Sequence, residues 1–191
     1  MTTPPPSTLP PSTPPPSALP SLALSVRQPW AWAIIHGGKE IENRTAGAIR
    51  SGNMVPGRIA IHAATGLKED EYAWGAWRLE RHGVSCPRPN ALVRGAIIGA
   101  VTVTEIVTQS ASEWFGGPCG LVLADPEPCA PIPAGGALGY FAWQRSDAFA
   151  PTKPWMVRWN RPAGDERTGE LFPDLAPSHA EPPPKPFGRR R

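Results

Sequence analysis

Residues 24–45 read Leu24-Ser25-Val26-Arg27-Gln28-Pro29-Trp30-Ala31-Trp32-Ala33-Ile34-Ile35-His36-Gly37-Gly38-Lys39-Glu40-Ile41-Glu42-Asn43-Arg44-Thr45. Leu22, Leu24 and Val26 alternate with Ala23 and Ser25, the period of a strand. Pro29 then suits a first helical turn, where its missing N–H has no partner to lose. Trp30 to Ile35 fill a short helix, and Gly37-Gly38 stops it. Lys39 to Thr45 alternates weakly. If 40–44 is a strand, Glu42 and Arg44 project from one face. Strand, helix, glycine break and candidate strand inside so short a span already argue for a mixed fold.

The rest of the chain extends that reading. Arg58-Ile59-Ala60-Ile61-His62-Ala63 is a second strand entered from Pro56-Gly57. It places Ile59 and Ile61 on one face and Arg58, Ala60 and His62 on the other. Gly66 to His82 reads as a helix with Tyr72, Ala73, Ala76, Trp77 and Leu79 inward and Glu69, Asp70, Arg78 and Arg81 outward. Gly95 to Val107, rich in Ile, Val and Thr, is the longest strand candidate. Shorter ones follow at 120–124, 138–143 and 155–159. Two helices among five or six strands, in runs rather than strict alternation, predict an α+β fold built on a small, mostly antiparallel β-barrel with flanking helices. Neither a phosphate-binding glycine loop nor a dinucleotide fingerprint is present.

Composition marks off the domain. The chain has 191 residues and 27 prolines, of which nine fall in residues 1–20. Residues 1–21 carry no charged side chain, and 161–191 mix Pro, Gly and both charge signs. Both are expected to be disordered tails around one domain, 22–160, which contains all eight tryptophans. The Pro-rich tail is a candidate site for a protein partner. The longest apolar run, Trp30 to Ile35, is far short of the ~20 residues of a membrane span. The N-terminus has neither the basic start nor the apolar stretch of a secretory signal. Three cysteines, Cys86, Cys119 and Cys129, are an odd set without metal-ligand spacing, so neither a metal nor another cofactor is expected, and a cytoplasmic protein is. Residues 22–160 hold 13 basic and 11 acidic side chains. That balance excludes a protein that grips long duplexes by phosphate neutralisation and leaves a small, local site.

Each candidate residue carries two readings. Arg27, with the N–H groups of residues 30–32, suits an anion, or else pairs with Glu40 or Glu42. Trp30 is a stacking platform for a base or a core tryptophan. Lys39, Glu42 and Arg44 line a cleft beside the Gly-Gly break or form a surface charge cluster. In a cleft, Lys39 meets phosphate or acts as base or nucleophile, and Glu42 reads an amino group or acts as base. His62 is a hydrogen-bonded residue of a cleft wall or a structural histidine. Trp114-Phe115-Gly116-Gly117-Pro118 folds over a ligand or plugs the barrel end. His36 and His82, beside helix-ending glycines, are expected to face the last carbonyls.

Six blocks, in order, resemble a known family. They are 24–31, Gly38-Lys39-Glu40-Ile41-Glu42-Asn43-Arg44-Thr45, Gly57 to Ala63, Gly95-Ala96-Ile97-Ile98-Gly99, Trp114 to Pro118, and Gly135-Gly136-Ala137-Leu138-Gly139. Together they resemble the ASCH domain of the PUA-like superfamily. The resemblance implies a PUA-like pseudo-barrel and binding of RNA, or of a nucleotide, in a cleft between the first helix and the barrel. On this reading Arg27, Gln28, Trp30, Lys39, Glu42, Arg44, His62 and Trp114 line the site. Some relatives are hydrolases of N4-acetylcytidine that use Lys and Thr three residues apart and a later Glu, and ribonuclease activity is proposed for others. Here Lys39 takes the Lys position, Glu42 stands where Thr is expected, Thr45 is out of register and Glu105 is a loose third candidate. Catalysis, if present, falls to Lys39 and Glu42.

Overall fold

A computed structural model describes residues 19–159. In chain order its elements are β1 (Leu22–Val26), α1 (Trp30–His36), β2 (Ile41–Arg44), α2 (Ala46–Ser51), β3 (Gly57–Ala63), α3 (Glu69–Arg81), β4 (Ala96–Val107), β5 (Cys119–Pro133), β6 (Tyr140–Ala142) and α4 (Pro154–Arg158). The strands form a single sheet in the order β2-β5-β4-β3-β1-β6. Every pairing is antiparallel except β1 with β3. This is the α+β, PUA-like architecture that the sequence predicts. The two terminal segments beyond 19–159 lie outside the described residues, and with them the partner reading of the Pro-rich tail.

Packing starts earlier than residue 22. Trp143 Nε1 donates to Pro20 O at 2.7 Å, and Leu19 packs against the same buried cluster as Phe141 and Trp143. Two further differences concern secondary structure. Of residues 155–159, expected as a strand, 155–158 belong to α4, whose Pro154 sits in the first turn, and Trp159 follows as its C-cap. Its Met156 is buried with Leu67 and Leu92, and Trp159 meets Tyr72 edge-on at 4.9 Å. The strand expected to end at Ala124 runs on to Pro133. Its proline-rich half pairs with β4 alone, because β2 reaches only residues 119–122. Prolines without N–H groups are tolerated along such an unpaired side. The helix α2 has no counterpart among the sequence-based expectations. Thr45 caps it, its Oγ1 accepting from Ala48 N at 3.1 Å.

The sheet curls, and α2 links its two edges. This helix follows edge strand β2, and Tyr140 N at the opposite edge donates to Gly52 O just beyond it, at 2.9 Å. A Cβ on Gly139 would lie 2.4 Å from Gly52 Cα, and Gly139 has a φ of +71°. Only glycine allows both that turn and that approach.

The main core lies inside the curl. Leu24, Val26, Ile59, Ile61, Val101, Val103 and Leu121 meet Ala31, Ile34 and Ile35 of α1 there. Ala23, Ala60, Ile97, Ile132 and Ala134 form a second core on the outer face. β3 thus alternates as predicted, but both its faces are covered. His62 is on the outer side and 1% exposed. Its Nδ1 lies 2.9 Å from Ser25 Oγ and its Nε2 3.0 Å from Ala134 O. A carbonyl only accepts, so Nε2 carries the proton and Nδ1 accepts from the serine.

These contacts carry two testable consequences. Burial lowers the His62 pKa from 6.5, with the Ala134 bond opposing more weakly. The unfolded chain therefore binds the extra proton first, so the stabilisation is full above pH 6.5 and is lost as pH falls toward the folded-state value. Thermal unfolding at pH 7.5 and 5 should give a lower Tm in acid, and His62→Gln should flatten that dependence. The second concerns Asn43 of β2, which clamps the 114–117 loop. Its Nδ2 donates to Trp114 O at 2.8 Å and its Oδ1 accepts from Gly116 N at 2.7 Å. Asn43→Ala should cost about 1–3 kcal/mol of stability and speed hydrogen exchange at the Gly116 amide.

Candidate functional site

Two adjoining recesses open between α1, α3, β2 and the 114–117 loop. The first, about 530 Å³, is lined by Arg27, Trp30, Glu42, Arg44, Glu71 and Trp74 among others. The second, about 360 Å³, is lined by Trp30, Lys39, Glu42, Asn43, Trp74, Arg78, Trp114 and Gly116. Trp30, Glu42, Asn43 and Trp74 belong to both walls.

Chain topology makes this cleft. Because β1 and β3 run parallel, their C-terminal ends lie at the same end of the sheet. The chain leaving β1 through Arg27 and α1 therefore meets the chain leaving β3 into α3. Gly75 permits the approach, since a Cβ there would stand 2.5 Å from Pro29 Cγ. The two helices then bring Trp30 and Trp74 edge to face, with ring centroids 5.4 Å apart.

A ladder of charges forms the floor. Lys39 is 5% exposed, and its Nζ donates to Ile41 O at 2.5 Å and to Glu42 Oε2 at 2.7 Å. Glu42 Oε1 faces Arg44 Nη2 at 3.1 Å, and that nitrogen also donates to Ser25 O at 2.8 Å. Burial at this depth demands such pairing, because an uncompensated ion here is costly. Nearby Tyr140 has its phenol pushed up to about 12 by burial, against a weaker opposing pull from Arg44.

Arg27 sits on the rim with half its side chain exposed. It pairs with Glu71 of α3, not with Glu40 or Glu42. The parallel pairing explains this, since it carries the first turn of α3 across to the end of β1. Glu71 Oε2 also accepts from Lys68 N at 3.1 Å, one half of a capping box. Two of the three N–H groups of residues 30–32, expected to form an anion site, are already engaged. Ala31 N bonds to Arg27 O at 3.1 Å and Trp32 N to Gln28 Oε1 at 3.0 Å. The other end of the Gln28 amide donates to Val93 O at 2.8 Å, so this buried side chain is committed to structure although it touches the first recess.

Trp114 is buried with Ala33, Ile41 and Leu79, and His82 stacks on it at 3.7 Å. His82 thus covers an indole and also lies 3.4 Å from Glu113 through Nδ1, instead of turning to the helix-end carbonyls. Burial, then Arg78, lowers its pKa. Burial pushes the Cys86 thiol up to about 12 and the Cys129 thiol upward, so these two are poor nucleophiles.

The residues singled out from sequence therefore divide. Arg27, Gln28, Trp30, Glu42 and Arg44 line the first recess, and Lys39 and Trp114 line the second. His62 lines neither and is a structural histidine of the outer face. Glu105 is exposed on β4. Sequence reasoning misses Asn43, Glu71, Trp74 and Arg78. Asn43 lies inside the Glu42–Arg44 motif. The other three occur at helical spacing on α3, and their link to Arg27 and Trp30 depends on strand order, which has no local signature. Trp77, expected inward, is half-buried with the Arg81 guanidinium 5.3 Å from its ring.

Among the described residues, no helix is long and apolar enough to cross a membrane. No curated protein matches the chain in sequence. Crystal structures of the ASCH protein of Zymomonas mobilis are similar to it. The unsubstituted form has 19% identity and a TM-score of 0.31, covering 59% of this chain and 72% of that one. One single-residue variant gives 20%, 0.32, 59% and 72% for the same quantities, and another gives 18%, 0.31, 59% and 74%. The family model described as the ASCH domain matches residues 24–149. With that match spanning most of the chain and reaching every element described above except α4, the chain belongs to the ASCH domain family.

Proposed function

We propose that this protein binds RNA by holding one nucleotide in the first recess, between α1 and the barrel. The observation that carries this reading is the placement of an indole wall, Trp30 with Trp74, beside a floor of buried, paired charge. A recess of 530 Å³ is in the size range of small-ligand sites. Trp30 stacks on the base. Arg27, half exposed on the rim, takes the phosphate, and Arg44 supports it from the floor. Glu42 accepts from an amino group on the base edge with the lone pairs that Lys39 and Arg44 leave free. Four cations against two carboxylates line the two recesses, a surplus that favours an anionic ligand. A cytoplasmic site of action suits the odd cysteine count.

Titration with nucleoside monophosphates, followed by tryptophan fluorescence, tests this. Quenching is expected. Trp30→Leu, which keeps apolar bulk against the core, should weaken binding about 5- to 150-fold. No response to any of the four monophosphates would sink the reading.

A second reading is favoured by one contact, the 2.7 Å approach of Lys39 Nζ to Glu42 Oε2 at the recess floor. In it this pair activates water to hydrolyse a modified nucleoside such as N4-acetylcytidine, or to cut RNA. Chromatography of acetylcytidine and of labelled RNA after incubation exposes turnover. Lys39→Ala should abolish any that is seen, and turnover that survives the substitution rejects the pair as catalysts.

A further inference from the structure

Resting on the nucleotide-binding reading, we infer that the ligand is a single strand of at least two nucleotides, the second of which occupies the recess between Trp114 and α3. The two recesses are contiguous, because Trp30, Glu42, Asn43 and Trp74 belong to both walls. A ligand filling the first is in contact with the second without leaving the protein surface.

Each recess also carries its own ligand chemistry. The first has Arg27 and Arg44, and the second has Lys39 and Arg78. One phosphate per nucleotide matches that repetition of cations along the cleft. The second recess has Trp114 as an aromatic wall and shares Trp30 and Trp74 with the first. Arg78 holds its guanidinium 5.9 Å from the Trp74 ring centroid, and its Nη2 donates to Glu113 O at 2.5 Å. The contact to Glu113 uses one of five N–H donors, so the others are available to a phosphate. Lys39 Nζ makes two of the three hydrogen bonds open to it and lies 6.0 Å from the Trp30 ring.

The second recess adds what a free nucleoside does not use. At 360 Å³, with an aromatic wall and two cations, it has the size and chemistry to take the next residue of a strand. Arg78 belongs to this recess only, which lets the two positions be probed apart.

The experiment measures, on the full chain, the Kd of cytidine and uridine monophosphates and of the corresponding di- and trinucleotides, by tryptophan fluorescence at fixed salt. The dinucleotide should bind about tenfold or more tightly than the monophosphate. Arg78→Ala, and independently Arg78→Gln in case truncation loosens the 113–117 loop, should bring that ratio to near one. Thermal unfolding confirms that both variants are folded. Binding of the monophosphate with no gain from the second nucleotide overturns this inference and leaves the one-nucleotide site standing. A gain that survives both Arg78 variants overturns the assigned position. Failure of mono- and dinucleotides alike overturns both readings.

Discussion

The parallel pairing of β1 with β3 is the constraint that creates the cleft. Parallel neighbours cannot be joined by a tight turn, so the chain must cross over between them. It does so through α1, β2 and α2, the stretch that holds Trp30, Lys39, Glu42 and Arg44. The same pairing sends the chain out of β3 at the end of the sheet where it left β1, and α3 comes to rest beside α1. Cleft wall, cleft floor and the Arg27–Glu71 pair are thus consequences of one register, Ala23 to Val26 against Ala60 to Ala63. The Ser25–His62 pair lies within that register, and the His62–Ala134 bond ties the loop before β6 to it. A side chain remote from the cleft therefore helps hold the cleft's geometry.

The floor is fixed by electrostatics. Lys39 and Glu42 are both buried, and each compensates the other. Such a pair adds little net stability, because desolvation offsets most of the attraction, but removing one partner leaves a buried ion and is strongly destabilising. The pair is better understood as preorganisation. Its head groups are already placed, so ordering them adds nothing to the cost of binding. Lys39 as a nucleophile would have to give up contacts that its present position depends on, whereas as an electrostatic group it needs no rearrangement. This favours binding over covalent chemistry at the same atoms.

Much of this is legible in sequence because the informative signals are local. Alternation marks β1 and β3, Gly37-Gly38 ends α1, and the spacing of Glu42 and Arg44 puts them on one strand face. The misreadings have equally physical causes. Prolines suggest an end to β5 at Ala124 only if the pattern of a fully paired strand is applied to one with a single partner. Two aromatic residues and a valine make 155–159 look extended, although Pro154 is the better guide. The place of His62 opposite Ile59 and Ile61 leaves it open between a cleft wall and a structural role. Only the second core on the outer face shows that both sides of β3 are buried. Glu71, Trp74 and Arg78 require knowledge of which strands pair, and periodicity along α3 carries none.

Arg44 shows why the floor faces a ligand from one direction only. Its Nη2 is shared between Ser25 O and Glu42, while its Nε is buried with no hydrogen-bond partner. An unsatisfied buried donor costs about 1–3 kcal/mol, and so small a domain does not carry such a group for stability. On the nucleotide-binding reading, with Nε sealed from solvent and Nη2 already shared, Nη1 is the nitrogen left for an anion. Arg44 belongs to the lining of the first recess. The guanidinium is thus anchored at one nitrogen and shielded at a second. Held this way, it presents charge at a fixed point beside the Trp30 wall, whereas a freely moving surface arginine would spread that charge over the whole rim.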